Sequence, residues 1–189
     1  ASRFKPRPSR MVELSSPILL GGHAGQAPLL SPDRYWEAAR RTETYLLEEL
    51  VEFVTQNGFR PEAVCVISCG FQPGEEPLEA LNRMGQEAIG AVEAGAKIIL
   101  VDDTAALSGE LLWLDPHLAI AHLDEALRGH EITWRSGETY RNLRREASLV
   151  LRSGAIRNLH DMIIAFGVGA DAVNPYLMIE AAVTKARVE

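Results

Sequence analysis

Short apolar segments alternate along the chain with longer segments in which apolar residues recur every three or four positions. The apolar segments are 63–68, 97–101, 148–151 and 171–174, and helical patterns follow at 75–94, 115–129, 155–166 and from 176 onward. Segment 97–101 is almost wholly apolar, which is typical of a strand buried on both faces. Four strand–helix units in succession predict an α/β fold with a parallel sheet and right-handed crossovers. Four such units are about half of an eight-stranded barrel, so we expect a half-barrel or an open domain related to the TIM barrel.

The helical pattern at 155–166 predicts one apolar stripe that faces the sheet. This stripe consists of Ile156, Leu159, Ile163 and Phe166. Ser153 precedes the pattern, and we expect it to cap the helix, because a serine oxygen accepts a hydrogen bond from a free backbone N–H there. His122 and His160 fall on predicted helices, and we expect both to pack toward the sheet rather than to bind a ligand.

Two segments depart from the alternating pattern. Residues 1–10 are basic and rich in proline, which predicts a flexible linker, whereas residues 11–189 are expected to form a single domain. Segment 131–146 mixes Trp134 with several arginines, among them Arg135, and interrupts the strand–helix units. We interpret it as a surface insertion; a partner-binding excursion is the alternative, because tryptophan and arginine often anchor interfaces.

The edges of a half-barrel need cover, because an unpaired edge strand invites association. Segment 11–20 is apolar but broken by Pro17, as expected of an edge strand. An N-terminal helix is predicted over 31–58, from the start signal Ser31-Pro32 to the stop signal Asn57-Gly58. These two segments are expected to cover one edge. The other edge is expected to need a neighbour, which leaves room for a homo-oligomer formed through a free sheet edge.

Composition narrows the classes of function. The chain has 189 residues, 47% hydrophobic and 24% charged, which is enough for a globular core. Its formal net charge of −7 argues against general nucleic-acid binding, which needs a basic face. No apolar run approaches the length of a membrane-spanning helix, so no membrane contact is expected. The two cysteines cannot form a disulfide framework, and a cytoplasmic location is therefore expected.

Residues that carry chemistry gather where the predicted strands end. Ligands of parallel α/β folds bind beyond these carboxyl ends, which share one rim. The candidate ligand rim consists of Cys69, Asp102, Asp103, Ser153, Gly154 and Asn174. These residues predict either a polar site for a small molecule or a set of turns and helix caps. No catalytic residue and no metal site can be named, because the sequence has no Walker loop, no Gly-x-Ser-x-Gly elbow and no zinc-ligand spacing.

Three motifs are distinctive. Residues 167–177 read Gly-Val-Gly-Ala-Asp-Ala-Val-Asn-Pro-Tyr-Leu, residues 13–19 read Glu-Leu-Ser-Ser-Pro-Ile-Leu, and a strand ending in Ser153-Gly154 leads into a helix that carries His160. In these motifs and in their order the chain resembles the central domain of the large subunit of glutamate synthase. The residues of the first motif that we expect to determine the fold are Gly167, Gly169, Asp171, Asn174, Pro175 and Tyr176.

The resemblance implies a role inside a larger enzyme. Glutamate synthase makes two glutamates from glutamine and 2-oxoglutarate with electrons from NADPH or ferredoxin, and so assimilates ammonia. Its large subunit joins a glutaminase domain, the central domain, an FMN-binding barrel with an iron–sulfur cluster and a β-helical domain. The central domain carries no flavin; it connects the catalytic domains and helps to wall the ammonia path between them. The resemblance thus implies a structural module without a cofactor or activity of its own, whose partners are the glutaminase and FMN-binding domains, in cis or in trans.

Departures from the family pattern keep a second interpretation open. The chain begins with Ala1 rather than a cysteine nucleophile, and it lacks the cluster's cysteine triplet. It has Val101-Asp102-Asp103-Thr104 where the family usually has Ser-Asp-Arg after the second strand. The chain is therefore either part of a large enzyme or a diverged stand-alone relative. In the second case we expect a small-molecule-binding protein or enzyme that uses the candidate ligand rim.

Overall fold

The computed structural model describes residues 14, 16–21, 45–56, 63–133 and 139–186. Its strands are β1 (Val64–Ser68), β2 (Ile98–Asp102), β3 (Glu131–Thr133), β4 (Thr139–Asn142), β5 (Ser148–Arg152) and β6 (Ala172–Asn174). Its helices are α1 (Leu47–Gln56), α2 (Pro77–Ala94), α3 (Thr104–Leu107), α4 (Pro116–Gly129), α5 (Leu159–Gly167) and α6 (Tyr176–Ala186), with a 3-10 turn at Leu143–Arg145. In this part of the chain no helix is both long enough and apolar enough to cross a membrane.

Four strands form one parallel sheet in the order β1-β2-β5-β6. The strands therefore lie side by side in the order in which they occur in the chain. Right-handed crossovers between strands in that order place α2, α4 and α5 on one face of the sheet. The predicted α/β fold with four parallel strands is confirmed, and the strand order is compatible with a half-barrel, since barrel strands also follow one another in chain order.

The larger hydrophobic core lies between the sheet and the three crossover helices. The strands contribute Ile67, Ile99, Val101, Leu149, Leu151 and Val173. The helices contribute Met84, Ala88, Ile120, Leu123, Leu127, Met162 and Ala165. Four of the five residues of β2 are buried, which agrees with the apolar run that predicts this strand. Burial of this many aliphatic side chains is the main favourable contribution to folding, at about 25 cal/mol per Å² of apolar surface.

The opposite face of the sheet packs against α1. Leu47, Leu50 and Val54 of this helix contact a smaller core formed with Ile98, Leu100, Val150 and Ala172. The helix begins at Leu47, so the predicted continuous helix over 31–58 is wrong at residues 45 and 46. There the backbone forms a parallel bridge between Leu20 and Leu46, which takes up polar groups that a helix would use itself. Residues 31–44 and 57–58 lie outside the described part of the chain.

One edge of the sheet is closed by the N-terminal segment. The Leu19 N–H donates a 2.8 Å hydrogen bond to the carbonyl oxygen of Val173, and the Val173 N–H donates one of 2.8 Å to Pro17. Segment 16–20 thus covers the outer side of β6 through an isolated bridge rather than as a full strand. At the other edge, no strand within the described ranges pairs with the outer side of β1.

The described residues of segment 131–146 form the antiparallel strand pair β3–β4 and the 3-10 turn. Residues 134–138, which include Trp134 and Arg135, lie outside the described residues. The end of the segment belongs to the domain core, because Leu143 is buried among the residues of the larger core. That the segment is an insertion stays a prediction.

Helix α5 starts later and faces differently than its sequence pattern predicts. Its cap is Asn158, whose Oδ1 accepts the Asp161 N–H at 3.0 Å, so the prediction that Ser153 caps it is wrong. Its buried residues are Asp161, Met162 and Ala165. Leu159 and Ile163 are 67% and 57% exposed, so the predicted stripe is wrong at these two residues. It is confirmed at Ile156, which is buried, and at Phe166, which packs against the larger core. The Asp161 carboxylate accepts the Arg157 N–H at 2.9 Å in the preceding turn. This hydrogen bond holds the side of α5 that carries Asp161 toward the interior of the domain.

The prediction that the two helical histidines face the sheet is also wrong. His160 lies on the outward face of α5 and is exposed. His122 is half-buried between helices rather than against the sheet: a Cβ placed on Gly85 of α2 would lie 3.3 Å from its Nε2. The glycine at this position allows α2 and α4 to approach closely.

Candidate functional site at the carboxyl ends of the strands

The last residues of the four strands stand in one row. Ser68 pairs with Asp102, Asp102 with Arg152, and Arg152 with Asn174. Side chains two residues apart on a strand share a face, so this row lies on the same side as the smaller core. Arg152 was not predicted as a site residue. The available signal was its position at the end of β5, directly before Ser153.

Asp102 is held by its neighbours in the row and in the following turn. Its Oδ2 accepts a 2.8 Å hydrogen bond from Arg152 Nη1, and its Oδ1 accepts the N–H of Thr104 at 2.9 Å. The Arg152 guanidinium carbon lies 5.1 Å from the centre of the Tyr176 ring, within range of a cation–π contact. An aspartate that receives a backbone N–H two residues later forms an Asx turn, and Asp102 therefore shapes the entry to α3.

Asp103 is fully buried at the centre of the rim. Its Oδ2 accepts a 2.6 Å hydrogen bond from the Ser153 hydroxyl, and both carboxylate oxygens accept the Gly154 N–H at 3.1 Å. The Tyr176 hydroxyl donates to Oδ1 at 3.3 Å. A buried carboxylate is tolerated when hydrogen bonds replace its lost water. Asp103, Ser153, Gly154 and Tyr176, here named the upper polar cluster, join the ends of β2, β5 and β6.

Burial raises the pKa of two groups near Asp103, the Tyr176 hydroxyl and the Cys69 thiol, so both stay protonated at neutral pH. It raises the pKa of Tyr176 to about 12, and the negative charge of Asp103 adds to the effect. Burial also raises the pKa of the Cys69 thiol to about 12, with further contributions from Asp103, Asp115 and Asp102. The Cys69 Sγ lies 3.6 Å from the carbonyl oxygen of Leu114. Because a thiolate rather than a thiol is the reactive form, Cys69 behaves as a core residue at neutral pH.

Two leucines cover the upper polar cluster at Gly154. A Cβ placed on this glycine would lie 2.5 Å from Leu107 Cδ1 and 2.6 Å from Leu177 Cδ1. Leu107 is the last residue of α3, and Leu177 belongs to the first turn of α6. The backbone at Gly154 is therefore in direct contact with apolar side chains, which leaves no room there for a ligand.

Asn174 connects two of the motifs on which the resemblance rests. Its side chain is fully buried, and Nδ2 donates hydrogen bonds to the carbonyl oxygens of Leu19 (2.8 Å) and Gly21 (3.1 Å). Its Oδ1 has no hydrogen-bond partner among the described residues. The motif at 167–177 thus holds the end of the motif at 13–19 against the sheet.

A second polar cluster lies at the opposite, amino ends of the strands. Arg144 donates hydrogen bonds to Asp124 Oδ1 (2.6 Å), Asp171 Oδ2 (2.9 Å) and the carbonyl oxygens of Ala147 (2.9 Å) and Gly169 (2.8 Å). We name Arg144, Asp124, Asp171 and Gly169 the lower polar cluster. Sequence analysis missed Arg144, because its partners are distant in the chain and no local spacing reveals them.

The family-motif residues of the lower polar cluster have definite conformational tasks. Gly169 has φ +122°, and a Cβ placed on it would lie 2.7 Å from Asp124. The Asp171 carboxylate also accepts the Leu149 N–H at 2.8 Å, which joins the starts of β5 and β6. Burial alone would raise the pKa of Asp124, but hydrogen bonds from Arg128 and Arg144 together hold it below its usual range. Residues at this end of barrel-like folds serve stability rather than catalysis.

The rim residues therefore divide into groups with internal partners. Asp103, Ser153 and Gly154 come together with Tyr176. The other three rim residues have separate partners: Cys69 contacts Leu114, Asp102 pairs with Arg152, and Asn174 binds Leu19 and Gly21. Gly167 is the last residue of α5, and the Pro175 carbonyl accepts the Ile179 N–H at 3.0 Å in the first turn of α6. Across the described residues, no three His, Cys, Asp or Glu side chains are grouped in a way that could hold a metal ion.

Comparison with known families agrees with these motifs. Residues 2–189 match the family model described as the glutamate synthase central domain. The chain belongs to this family, and the resemblance inferred from its motifs is confirmed.

The relatives are glutamate synthases of several kinds. The NADPH glutamate synthase large chain of Bacillus subtilis is 32% identical over 103 residues, which cover 54% of this chain and 6% of that protein. The ferredoxin-dependent glutamate synthase of Cyanidium caldarium is 26% identical over 108 residues, 57% of this chain and 6% of the relative. The archaeal-type NADPH glutamate synthase of Dehalococcoides mccartyi is 34% identical over 104 residues, 51% of this chain and 18% of the relative. The similarity thus spans a small part of each relative's length.

Proposed function

We propose that this chain is an interdomain module of a glutamate synthase, which makes two glutamates from glutamine, 2-oxoglutarate and a reductant. In this role it connects the glutaminase and FMN-binding domains, in cis or in trans, and forms part of the wall of the ammonia path between them. Membership of the central-domain family supports the proposal, as do relatives named as glutamate synthases. Other domains are proposed to interact with the electron donor, since relatives of both the NADPH and the ferredoxin kind match this chain.

The observation that carries the proposal is the closure of the upper polar cluster. A catalytic acid or base must come within about 3 Å of the substrate atom that gains or loses the proton. The carboxylate oxygens of Asp103 instead accept hydrogen bonds from Ser153, Gly154 and Tyr176, and the residue is fully buried. A small-molecule site at the rim, the alternative interpretation, would need an opening to this carboxylate. Leu107 and Leu177 occupy the space over Gly154, which favours an architectural role for the rim.

A wall is a physical function, because ammonia that reaches water is protonated and lost as a nucleophile. Closed sites protect reactive intermediates by excluding water. A domain contributes to such closure by keeping a fixed shape, and the two polar clusters join neighbouring strands at the carboxyl and amino ends of this sheet. FMN and the iron–sulfur cluster are proposed to belong to other domains. Cys65 and Cys69 are the two cysteines of the chain, whereas iron–sulfur clusters use about four ligands.

The test is an ammonia balance on the intact glutamate synthase that contains this domain, with Asp102→Asn and Ser153→Ala variants. Glutamine consumed, 2-oxoglutarate consumed and free ammonium are measured in one reaction. We expect glutamine hydrolysis, and glutamate formation from added ammonium, to stay within about twofold of the parent, because no reacting group is lost. The ratio of glutamine consumed to 2-oxoglutarate consumed should rise above one, because ammonia that escapes is not used to make glutamate. A loss of about 100-fold or more in either half-reaction would identify a catalytic acid or base and overturn the proposal. A ratio that stays at one in both variants would also contradict a role in the wall.

A further inference from the structure

Segment 105–113, which joins the upper polar cluster to α4, is poorly buried. None of its nine residues is buried, whereas Asp103 before it and Leu114 after it are 0% and 4% exposed. We name segment 105–113 the strap. Stretches with few buried contacts open at a lower free energy than the core around them. The strap is therefore a segment that can move while the sheet stays folded.

The strap lies directly on the chain that leaves β1. A Cβ placed on Gly70 would lie 2.8 Å from Leu111 Cβ and 2.9 Å from the carbonyl oxygen of Leu112. Cys69, just before Gly70, has no exposed surface, and its Sγ lies 3.6 Å from the carbonyl oxygen of Leu114, the residue that follows the strap. A reagent in solution therefore reaches this thiol only after part of the structure has moved.

The attachments of the strap to the rest of the domain are weak ones. Leu112 and Phe71 exchange two backbone hydrogen bonds, of 2.8 and 3.1 Å. Leu107 contacts Gly154, but 47% of the leucine remains exposed. Other backbone hydrogen bonds of the strap are made within it or to the two residues directly before it, and these bonds can persist when the strap moves as a unit.

The loop on which the strap rests, residues 70–75, is held more firmly. Arg83 of α2 donates hydrogen bonds to the Gly70 carbonyl oxygen at 3.2 Å and to Glu75 Oε1 at 2.9 Å. Glu75 in turn accepts the Gln72 N–H at 2.9 Å. Hydrogen bonds to a charged group are stronger than those between neutral groups. Loop 70–75 is thus tied to a core helix, whereas the strap is tied to that loop and to Gly154.

We propose that the strap is a local gate, which opens between Asp103 and Leu114 while the sheet stays folded and so controls access to Cys69 and Gly154. Opening breaks the backbone pair with loop 70–75 and removes Leu107 from Gly154. The larger core persists, because no residue of the strap belongs to it. This inference goes beyond the proposed function and does not rest on it: the closed rim becomes the resting state of the domain rather than its only state.

Two glycines provide matched variants for the test. Gly109 in the strap and Gly74 in loop 70–75 have φ of +86° and +92°, and a Cβ on either would meet nothing within 4 Å. Gly109→Ala and Gly74→Ala therefore strain only the backbone, and to a similar extent. Opening of the strap relieves the strain at position 109 but not at position 74.

The experiment measures N-ethylmaleimide labelling of Cys69 in the intact protein that contains this domain, by mass spectrometry of its peptide. Cys65 on β1, which is partly exposed and outside the strap, is the reference thiol in every sample. We expect Gly109→Ala to speed the labelling of Cys69 by about fivefold or more, because the closed state loses stability relative to the open one. Gly74→Ala should leave the rate within about twofold of the parent, since its strain remains when the strap opens.

Each other outcome overturns the gate. Equal acceleration by both variants would mean that Cys69 is exposed by unfolding of the whole domain. Acceleration by Gly74→Ala alone would assign the opening to loop 70–75, and acceleration by neither would mean that the reagent enters by a route without the strap. Labelling of Cys69 measures neither ammonia nor glutamate, so the gate and the proposed function can fail separately.

Discussion

The two ends of the parallel sheet hold polar clusters that are built differently. At the carboxyl ends, Asp103 is surrounded by neutral donors, namely a serine hydroxyl, a backbone N–H and a tyrosine hydroxyl. At the amino ends, Arg144 joins two carboxylates and two carbonyl oxygens. The upper polar cluster therefore depends on groups that must keep their protons, whereas the lower one depends on ion pairs.

This difference shows how to interpret polar residues at strand ends. The end where parallel α/β folds bind ligands carries the residues that look most like a site, yet it is closed by its own hydrogen bonds and lies beneath exposed leucines. The family motif at 167–177 contributes Tyr176 to the upper polar cluster and Asp171 and Gly169 to the lower one. Its length is thus explained by one task at each end of the sheet.

The largest effect is expected from breaking the lower polar cluster. Arg144→Ala should lower the free energy of unfolding by about 2–4 kcal/mol, because the partly buried Asp124 loses a counter-ion and the carbonyl oxygens of Ala147 and Gly169 lose a charged donor. Urea denaturation measures the change. Arg128→Ala is the matched control, since this arginine also pairs with Asp124 but is largely exposed, and it should change stability little. Equal effects of the two substitutions would remove Arg144 from the centre of the cluster.

Removing the centre of the upper polar cluster should cost somewhat less, because its partners are neutral. Asp103→Ala is expected to lower the free energy of unfolding by about 1–3 kcal/mol, since Ser153, Gly154 and Tyr176 lose their acceptor. Asp103→Asn keeps one carbonyl oxygen and should cost less than the alanine variant. A loss below about 0.5 kcal/mol for Asp103→Ala, which is typical of a surface site, would contradict the closed cluster.

Gly169→Ala tests the left-handed turn that serves the lower polar cluster. The variant should be destabilised by about 1–3 kcal/mol, because φ is +122° and the new methyl group would meet Asp124 at 2.7 Å. Gly167→Ala is the control: a Cβ there meets nothing within 4 Å, and alanine favours the helix it ends. In thermal melts the melting temperature should fall for Gly169→Ala and rise for Gly167→Ala. A stabilised Gly169→Ala protein would refute the account of this turn.

The two clusters should respond to opposite changes in pH. Cys69 and Tyr176 have pKa values raised from 9.0 and 10.0 to about 12 each, so the unfolded chain loses these protons first and stability falls as the pH rises from about 9 toward 12. The pKa of Asp124 is lowered below its ordinary 3.8, so its contribution is present above that value and is lost as the pH falls through the folded pKa. Urea midpoints across pH should show Tyr176→Phe flattening the alkaline limb and Asp124→Asn the acid limb. Unchanged limbs in both variants would show that other groups dominate.

The smallest effect is expected on the outward face of α5, at the exposed residue Leu159. In the 189-residue chain, Leu159→Gln should change the free energy of unfolding by less than about 0.5 kcal/mol, because the side chain is mostly in water already. A loss above 2 kcal/mol, in the range of a core leucine, would mean that this chain buries Leu159 itself. The same urea titration serves as the measurement.

Local signals in the sequence predicted the elements that depend on local forces. The apolar run of β2 and the Asp115-Pro116 start of α4 both lie where their patterns placed them, and the Asp115 side chain accepts the His117 N–H at 2.8 Å. The pattern was wrong for Leu159 and Ile163 because α5 is apolar on two faces, so spacing alone could not tell which one meets the sheet. The choice is made by Asp161, which is drawn inward by the turn before the helix.

Contacts between distant residues were less predictable. The chain order of the strands places Asp102 and Arg152 side by side, and the rim could be inferred from the parallel sheet alone. Which rim residues hydrogen-bond to which could not, because Asp103 and Ser153 meet only after three-dimensional packing of β2, β5 and the turn between β5 and α5. Arg144 and Asp171 are 27 positions apart, and their pairing leaves no periodic trace in the sequence.

The most direct test of the central claim is the size and activity of the native particle that contains this chain. A lysate of the source cell is separated by size-exclusion chromatography, and each fraction is probed with an antibody to the chain and assayed for glutamine-dependent glutamate formation from 2-oxoglutarate. The account predicts that the antibody signal and the activity elute together, in a particle much larger than the 20.8 kDa of this chain. Elution of the chain alone at 20.8 kDa, with the activity in other fractions, would contradict its assignment as a module of glutamate synthase.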